Sequence, residues 1–183
     1  MQLITRADDS GSSFSANRAV VECFDHGLLR NTSVMACGDA IKDAAEKFVP
    51  RPGLCIGLHV TLTSEWYKPR YRPVLPPSHV PTLVDEQGYF HPMPSDLKVR
   101  GCDPEEALAV GVAQHTRLCQ VGLRPAYLDE HMGVGWLPRL SERLTTFANR
   151  EGLILASSHA PTLPSFEAHS FIDPDRVASV ISR

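Results

Sequence analysis

Short apolar runs alternate along the chain with longer stretches in which apolar residues recur every three or four positions. The short runs predict strands over 2–7, 32–37, 54–62, 126–129 and 153–156. The longer stretches predict helices over 15–28, 39–48, 103–121 and 138–151, with a last helix that begins at 173. Strands that alternate with helices in this way are typical of an α/β fold with a parallel sheet.

The alternation is interrupted between 64 and 95, where seven prolines fall at 69, 73, 76, 77, 81, 92 and 94. Proline lacks an amide hydrogen and fixes its own backbone angle, so this segment is predicted to contain neither a helix nor a central strand. A loop of this length in a compact domain is usually a lid, a binding loop or disordered, and its many aromatic residues argue against plain disorder. We therefore predict a single domain over 1–183 with a proline-rich insertion at about 64–101.

The composition is that of an ordinary globular protein. Of the 183 residues, 43% are hydrophobic and 21% are charged, which supplies enough apolar material for a core. The net charge of −3 and the lack of a basic stripe predict that the chain binds no nucleic acid. Apolar runs far shorter than the ~20 residues of a bilayer span predict no membrane insertion. Five cysteines without a C-x-x-C pair, and no signal-peptide pattern, favour free thiols and a cytoplasmic location.

Polar side chains with metal-binding chemistry lie at or near the ends of three predicted strands. Asp8-Asp9 follow the first strand, His59 lies in the third, and Asp129-Glu130-His131 follow the fourth. In parallel β/α folds, active sites form at the carboxyl ends of the strands, so these groups are expected to converge. Two imidazoles and a carboxylate bind a divalent ion with positions left open, and a second carboxylate can take a proton from a bound water.

Each of these groups also has a purely structural interpretation. A pair of aspartates after a strand is often a solvated turn, a histidine in an apolar strand is often a hydrogen-bonded core residue, and the Asp129–His131 group fits an exposed loop. In an extended strand the side chains of Asp8 and Asp9 point in opposite directions, so only one can be a ligand unless the turn begins there. The residue pattern alone leaves the metal site and the structural interpretation open.

Five segments resemble, in the same order, motifs of the YdjC-like (ChbG/HpnK) carbohydrate deacetylases. The opening LITRADDSGSS resembles the ADDFG start of that family, and NTSVMACGDAIKDAAEKF resembles its second strand and helix. IGLHVTLTSEW resembles the G-x-H-x-T-L stretch in the branch that continues with Ser-Glu-Trp. PTLVDEQGYFHP and LRPAYLDEHMGV resemble two later elements. The matches extend from residue 3 to about 156.

The resemblance implies a distorted TIM-like (β/α) barrel of about seven strands, incomplete at the C-terminus in this chain. It also implies one divalent ion, Mg or Zn first, with Mn, Co and Ni as alternatives. Its ligands would be Asp9, His59 and His131, with Asp8 as the general base. In such enzymes the reaction is hydrolysis of the N-acetyl group of an acetylated amino sugar or oligosaccharide, with release of acetate.

The proline-rich insertion supplies the predicted substrate-binding residues Glu65, Trp66 and Tyr67. The aromatic residues of this loop, with Tyr71, offer flat faces for sugar rings, and the alternative is a packed lid without ligand contact. Both interpretations stay open at this point.

The C-terminal part of the chain departs from the family pattern. Relatives carry a late His-Pro-Gly element whose histidine fits the role of general acid, and this chain ends at Arg183 without one. His159 is the similarly placed candidate. A second functional hypothesis is therefore a catalytically weakened relative that acts as a carbohydrate- or partner-binding module. An incomplete barrel also leaves strand edges unpaired, which favours a homodimer.

Overall fold

The computed structural model describes residues 4–156. Within this range the strands are β1 (Arg6–Ser10), β2 (Asn31–Val34), β3 (Cys55–Val60), β4 (Tyr127–Glu130) and β5 (Ile154–Leu155). The α-helices are α1 (Phe14–His26), α2 (Ile41–Phe48), α3 (Pro94–Arg100), α4 (Pro104–Gln120) and α5 (Leu140–Glu151). Short 3-10 segments lie at Pro77–His79 and His131–Trp136. The helix expected from 173 and the candidate His159 lie outside the described residues.

All five strands form one sheet in the order β1-β2-β3-β4-β5, and every neighbouring pair is parallel. The predicted α/β class with a parallel sheet is therefore confirmed. Because the strands are parallel, their carboxyl ends all lie along the same edge of the sheet. A barrel requires that the sheet close on itself, and within residues 4–156 no pairing joins β1 to β5. The TIM-like barrel stays a prediction.

The first strand lies later in the chain than its apolar pattern predicts. The expected strand covers 2–7, whereas β1 runs over Arg6–Ser10 and includes both aspartates. Its position is set by pairing with β2, through Ala7 with Thr32 and Ser10 with Val34. The following helix begins after Ser13 and not after Ser15, because the Ser13 hydroxyl accepts the amide hydrogen of Ala16 at 3.2 Å.

The proline-rich insertion contains helix α3, Pro94–Arg100, whose first two residues lie in the segment 64–95 where no helix is predicted. Helix α3 begins at Pro94, in the first helical turn, where the missing amide hydrogen of proline costs no hydrogen bond. Tyr71 and Phe90 are buried, and the Phe90 amide donates to the Tyr71 carbonyl at 3.0 Å. Trp66 and Tyr67 are 50% and 88% exposed. The aromatic residues of this insertion therefore divide into a packed set and an exposed set.

Helix α4 forms as its sequence predicts and closes one side of the core. The Asp103 carboxylate accepts the Glu105 amide hydrogen at 2.8 Å, and Pro104 occupies the first turn. The helix contacts α5 and β3, with Val110 and Leu118 fully buried. No helix within residues 4–156 combines the length and the apolar character that a bilayer span needs.

Candidate metal centre

Asp9, His59 and His131 converge on one point at the carboxyl edge of the sheet. Asp9 Oδ1 lies 3.2 Å from His59 Nε2 and 3.1 Å from His131 Nδ1, and the two nitrogens are 3.3 Å apart. Both histidines are buried, at 3% and 4% exposure, whereas the carboxylate of Asp9 is partly open to solvent. Residues separated by up to 122 positions in the chain are thus brought together, as expected from their places near strand ends.

A backbone irregularity in β1 brings both aspartates to this site. Asp9 has φ of +61°, in the left-handed region, and the register between β1 and β2 shifts between Ala7 and Ser10. A non-glycine residue in this region costs roughly 1–3 kcal/mol, and such residues cluster at functional sites. In a regular strand the adjacent carboxylates would lie on opposite faces. Here an oxygen of each lies within 4.8 Å of a nitrogen of His59.

The second ring nitrogen of His59 is held by Asp129, a residue to which the sequence analysis gave no role of its own. His59 Nδ1–H donates to Asp129 Oδ1 at 2.8 Å. The other oxygen of Asp129 accepts the Ser33 hydroxyl hydrogen at 3.0 Å and lies 3.0 Å from Arg6 Nη1, with which it forms an ion pair. With its proton on Nδ1, His59 keeps the Nε2 lone pair free to bind a metal.

His131 has a matching carboxylate partner in Glu65. His131 Nε2–H donates to Glu65 Oε2 at 2.9 Å, which leaves Nδ1 directed toward Asp9 and His59. Each candidate imidazole ligand therefore donates its other N–H to a carboxylate, the arrangement that orients histidine ligands in metal sites. Glu65 is one of the predicted substrate-binding residues, and its contact with His131 is not apparent from the sequence.

Hydrogen bonds hold the segment that carries Glu65. The Gln114 side-chain amide from α4 accepts the Thr61 backbone N–H at 3.0 Å and donates to the Thr61 carbonyl at 2.7 Å. The Ser64 hydroxyl accepts the Tyr71 amide hydrogen at 2.8 Å. The chain leaving β3 is thus fixed to α4 and to the insertion before it reaches the site.

Residue 57, in the G-x-H stretch, must be glycine for a steric reason that the sequence does not show. A Cβ atom at this position would lie 2.2 Å from the ring of Tyr127 on the neighbouring strand. The Tyr127 ring therefore lies across β3 only because residue 57 has no side chain. From there the Tyr127 hydroxyl hydrogen-bonds the hydroxyl of Ser33 at 2.9 Å, and Ser33 in turn bonds Asp129.

The site has the electrostatics of a cation-binding centre. Hydrogen bonds from His131 and His59 hold the pKa of Asp9 well below its usual range. Burial alone would lower the pKa of His59, but its bonds to Asp129 and Asp9 outweigh burial and raise the pKa to about 9. The pKa of His131 is also raised, since bonds to Asp9 and Glu65 outweigh its burial. The carboxylates that favour a proton here would also favour a divalent ion.

The donor set fits such an ion. Around a metal bound at about 2.0–2.2 Å, ligand atoms at octahedral or tetrahedral angles lie about 2.8–3.6 Å apart. The three observed separations, 3.1–3.3 Å, fall inside that interval. Two imidazoles and one carboxylate leave further positions for water and substrate. Asp9, His59 and His131 could therefore hold such an ion.

Asp8 lies beside this group and remains accessible. Its side chain is 43% exposed, and its two oxygens accept from Arg6 Nε at 2.6 Å and Arg6 Nη2 at 3.1 Å. A carboxylate has four lone pairs, so these two bonds leave acceptor capacity for a third partner. The geometry of Asp8 is compatible with a base that faces solvent.

An exposed tryptophan that the sequence analysis did not single out follows His131. Trp136 is 52% exposed, and Lys98 of α3 lies 5.4 Å from its ring centre. The segment between His131 and Trp136 is tightly turned. Met132 and Gly133 have positive φ, and Glu130 accepts the Gly135 amide hydrogen at 2.6 Å. Trp136 lies in an irregular turn, outside any apolar periodicity, so no pattern in the sequence indicates its position.

Comparison with known proteins gives consistent matches. A carbohydrate deacetylase of Enterococcus faecalis is 33% identical over 73% of this chain and 49% of its own length. A chitooligosaccharide deacetylase of Escherichia fergusonii is 28% identical over 84% of this chain and 58% of its own length. The solved structure of a protein described as a cellobiose-phosphate cleavage protein, from Enterococcus faecalis V583, superposes with a TM-score of 0.76 at 29% identity, over 86% of this chain and 59% of the other.

The matches differ in how much of each protein they include. This chain spans about half to three fifths of the length of these relatives. The model of the YdjC-like protein family matches residues 2–173, nearly the whole chain, and that range includes all three candidate metal ligands. The chain is a member of the YdjC-like family.

Proposed function

We propose that the chain contains the metal centre of a hydrolase that removes the N-acetyl group from an acetylated amino sugar or oligosaccharide and releases acetate. The observation that carries this proposal is the convergence of Asp9, His59 and His131, with a carboxylate behind each imidazole and Asp8 beside them. Relatives named carbohydrate and chitooligosaccharide deacetylases support the choice of substrate class.

The residues divide the chemistry between them. A divalent ion held by Asp9, His59 and His131 would supply Lewis-acid chemistry, polarising the amide carbonyl and lowering the pKa of water. Asp8 accepts the proton of the attacking water, because it is accessible and keeps free lone pairs. Asp129 and Glu65 keep the ring protons of His59 and His131 on the nitrogens that face away from the ion. The departing amine needs a proton, and His159, outside the described residues, is the candidate donor.

The substrate is proposed to lie against the start of the insertion. Glu65 contacts His131. The exposed rings of Trp66 and Tyr67 follow Glu65 directly in the sequence. Flat aromatic faces suit the apolar face of a sugar ring. Tyr71 is buried and serves packing instead.

Among divalent ions the donor set favours Zn over Mg, since imidazole suits Zn, Co and Ni whereas Mg prefers oxygen ligands. Mn, Co and Ni are the alternatives to Zn. A cytoplasmic location and a homodimer stay predictions for the whole protein.

The test is acetate release from N,N′-diacetylchitobiose by protein stripped with a chelator and reloaded with Zn, Co, Ni, Mn or Mg. Reloading with one or more of these ions should restore acetate release to wild-type protein and not to His131→Ala. Binding of the sugar without acetate release, with every ion, would contradict the hydrolase and support the sugar-binding alternative. Acetate release by the chelated protein would contradict the metal centre.

A further inference from the structure

One guanidinium group joins two carboxylates of the site. Arg6 donates from Nε and Nη2 to the two oxygens of Asp8, at 2.6 and 3.1 Å. Its remaining Nη1 lies 3.0 Å from Asp129 Oδ2. The planar fork of arginine has five N–H donors in fixed directions, which allows one side chain to bind two carboxylates at once.

From this geometry we infer that Arg6 is a positioning residue with two separate effects, one on the base Asp8 and one on the metal ligand His59. The inference rests on the proposed function. Arg6 fixes the orientation of the Asp8 carboxylate. Through Asp129 it also stabilises the carboxylate that keeps the proton of His59 on Nδ1.

The burial of Asp129 explains why a positively charged side chain is needed beside it. The Asp129 side chain is only 6% exposed, and a buried carboxylate is costly without a charged partner. Its other partners are Ser33, which is neutral, and His59, which is neutral when it binds a metal. Among residues 4–156, Arg6 is the one lysine or arginine that forms an ion pair with this cluster.

The same group predicts that the site binds a single metal ion. Asp8, His59 and Asp129 offer a second set of atoms with the spacing of metal ligands. Arg6 already contacts both carboxylates of that set. Its positive charge takes the place of a second ion, so the wild-type chain is expected to bind one.

Three substitutions separate the two effects. Ser33→Ala removes a hydrogen bond to Asp129 and leaves the contact between Arg6 and Asp8 intact. Arg6→Met removes the support of both carboxylates while keeping most of the side-chain volume. Arg6→Lys keeps the charge but cannot bind both carboxylates through a planar fork. Arg51→Met is the matched control, because Arg51 makes a similar two-pronged contact with Asp25 on the surface.

The experiment measures the Kd for Co²⁺ by visible absorption, and kcat for acetate release from N,N′-diacetylchitobiose at saturating Co²⁺. Ser33→Ala should raise the Kd, and it should lower kcat at saturating Co²⁺ less than Arg6→Met does, because the contact between Arg6 and Asp8 is retained. Arg6→Met should raise the Kd by about 10–100-fold, the usual effect of losing a group behind a ligand, and should also lower kcat by about tenfold or more at saturating metal. The Kd and kcat of Arg6→Lys should lie between those of wild type and Arg6→Met. Both values in Arg51→Met should match wild type.

An unchanged Kd in folded Arg6→Met would overturn the effect on His59, and an unchanged kcat at saturating Co²⁺ would overturn the effect on Asp8. If Arg6→Met does not fold, Arg6→Lys decides both effects by the same two measurements. A wild-type protein that binds Co²⁺ but releases no acetate would contradict the proposed function, while the Kd comparison would still decide the effect on His59. A wild-type protein that binds no Co²⁺ would overturn both the proposed function and the inference about Arg6.

Discussion

His59 and Asp129 face each other as register partners across β3 and β4, and the imidazole donates to the carboxylate at 2.8 Å. The orientation of a candidate metal ligand is thus set by the alignment of two parallel strands. Side chains on paired positions of adjacent strands lie close enough to interact directly. The register of the sheet therefore sets the orientation of His59 directly.

Asp129→Asn should weaken metal binding while the protein stays folded. An amide can accept from His59 but carries no charge to balance Arg6 or to strengthen the bond to the imidazole. We expect a rise of about 10–100-fold in the Kd for Zn²⁺, measured by competition with a chelating dye. Asp25→Asn, on the surface, is the control. An unchanged Kd in Asp129→Asn would separate Asp129 from the metal centre.

Asp8→Asn should retain the metal and lose activity. The substitution preserves size but removes the base, so acetate release should fall by roughly 10²–10⁴-fold. His131→Ala and His59→Ala should lose the metal as well, which elemental analysis of dialysed protein would show. Loss of metal in Asp8→Asn would mean that the roles of Asp8 and Asp9 have been exchanged.

Gly57→Ala should destabilise the protein, since the added Cβ would overlap the Tyr127 ring. The expected loss is about 1–3 kcal/mol of unfolding free energy, measured in urea, with weaker metal binding. Gly111→Ala in α4 is the matched control, because its Cβ would meet Leu144 and Val60 at 3.8 Å, an ordinary contact. That control should be neutral or stabilising by about 0.5–1 kcal/mol. Equal effects of the two substitutions would contradict the steric argument.

Stabilisation by metal should grow as the pH rises. With metal removed, the folded-state pKa of His59 is raised to about 9, compared with about 6.5 in the unfolded chain. Protonated His59 therefore stabilises the metal-free fold below pH about 6.5, and this contribution is lost as the pH rises toward 9. Metal binding requires the unprotonated ring. The increase in Tm on adding Zn²⁺ should be larger at pH 8.5 than at pH 6, and much smaller at both in His59→Gln. An increase in Tm that does not change with pH would count against this account.

Trp66→Ala should raise KM for the sugar substrate several-fold and leave the Kd for metal unchanged. Trp66 is half exposed, so its loss removes a stacking face and little packing. Met93→Ala, another partly exposed apolar residue, is the control. Wild-type KM in Trp66→Ala would assign the ring to some other surface role.

The parts of the site that sequence predicts are those that depend on local pattern. His59 and His131 lie near the ends of strands whose apolar runs are plain, so their convergence follows from a parallel sheet. Asp129 acquires its role only through the register of two strands 70 residues apart, which no local pattern encodes. The left-handed backbone at Asp9 depends on a shift in pairing with β2. The start of helix α3 is not predicted, because Pro94 argues against a helix unless its position in the first turn is known.

The paired hydrogen bonds between the Gln114 amide and the Thr61 backbone replace the neighbouring strand that residue 61 would otherwise need. Both residues are fully buried, so separating them would leave two backbone groups and an amide without partners. Local unfolding of α4 must therefore release the segment leading to Glu65 in the same cooperative unit. Amide hydrogen exchange at Thr61, beyond the end of β3, is then expected to be as slow as exchange in the helix. A substitution at Gln114 is therefore expected to loosen the segment that carries Glu65, although Gln114 itself is not one of the candidate metal ligands.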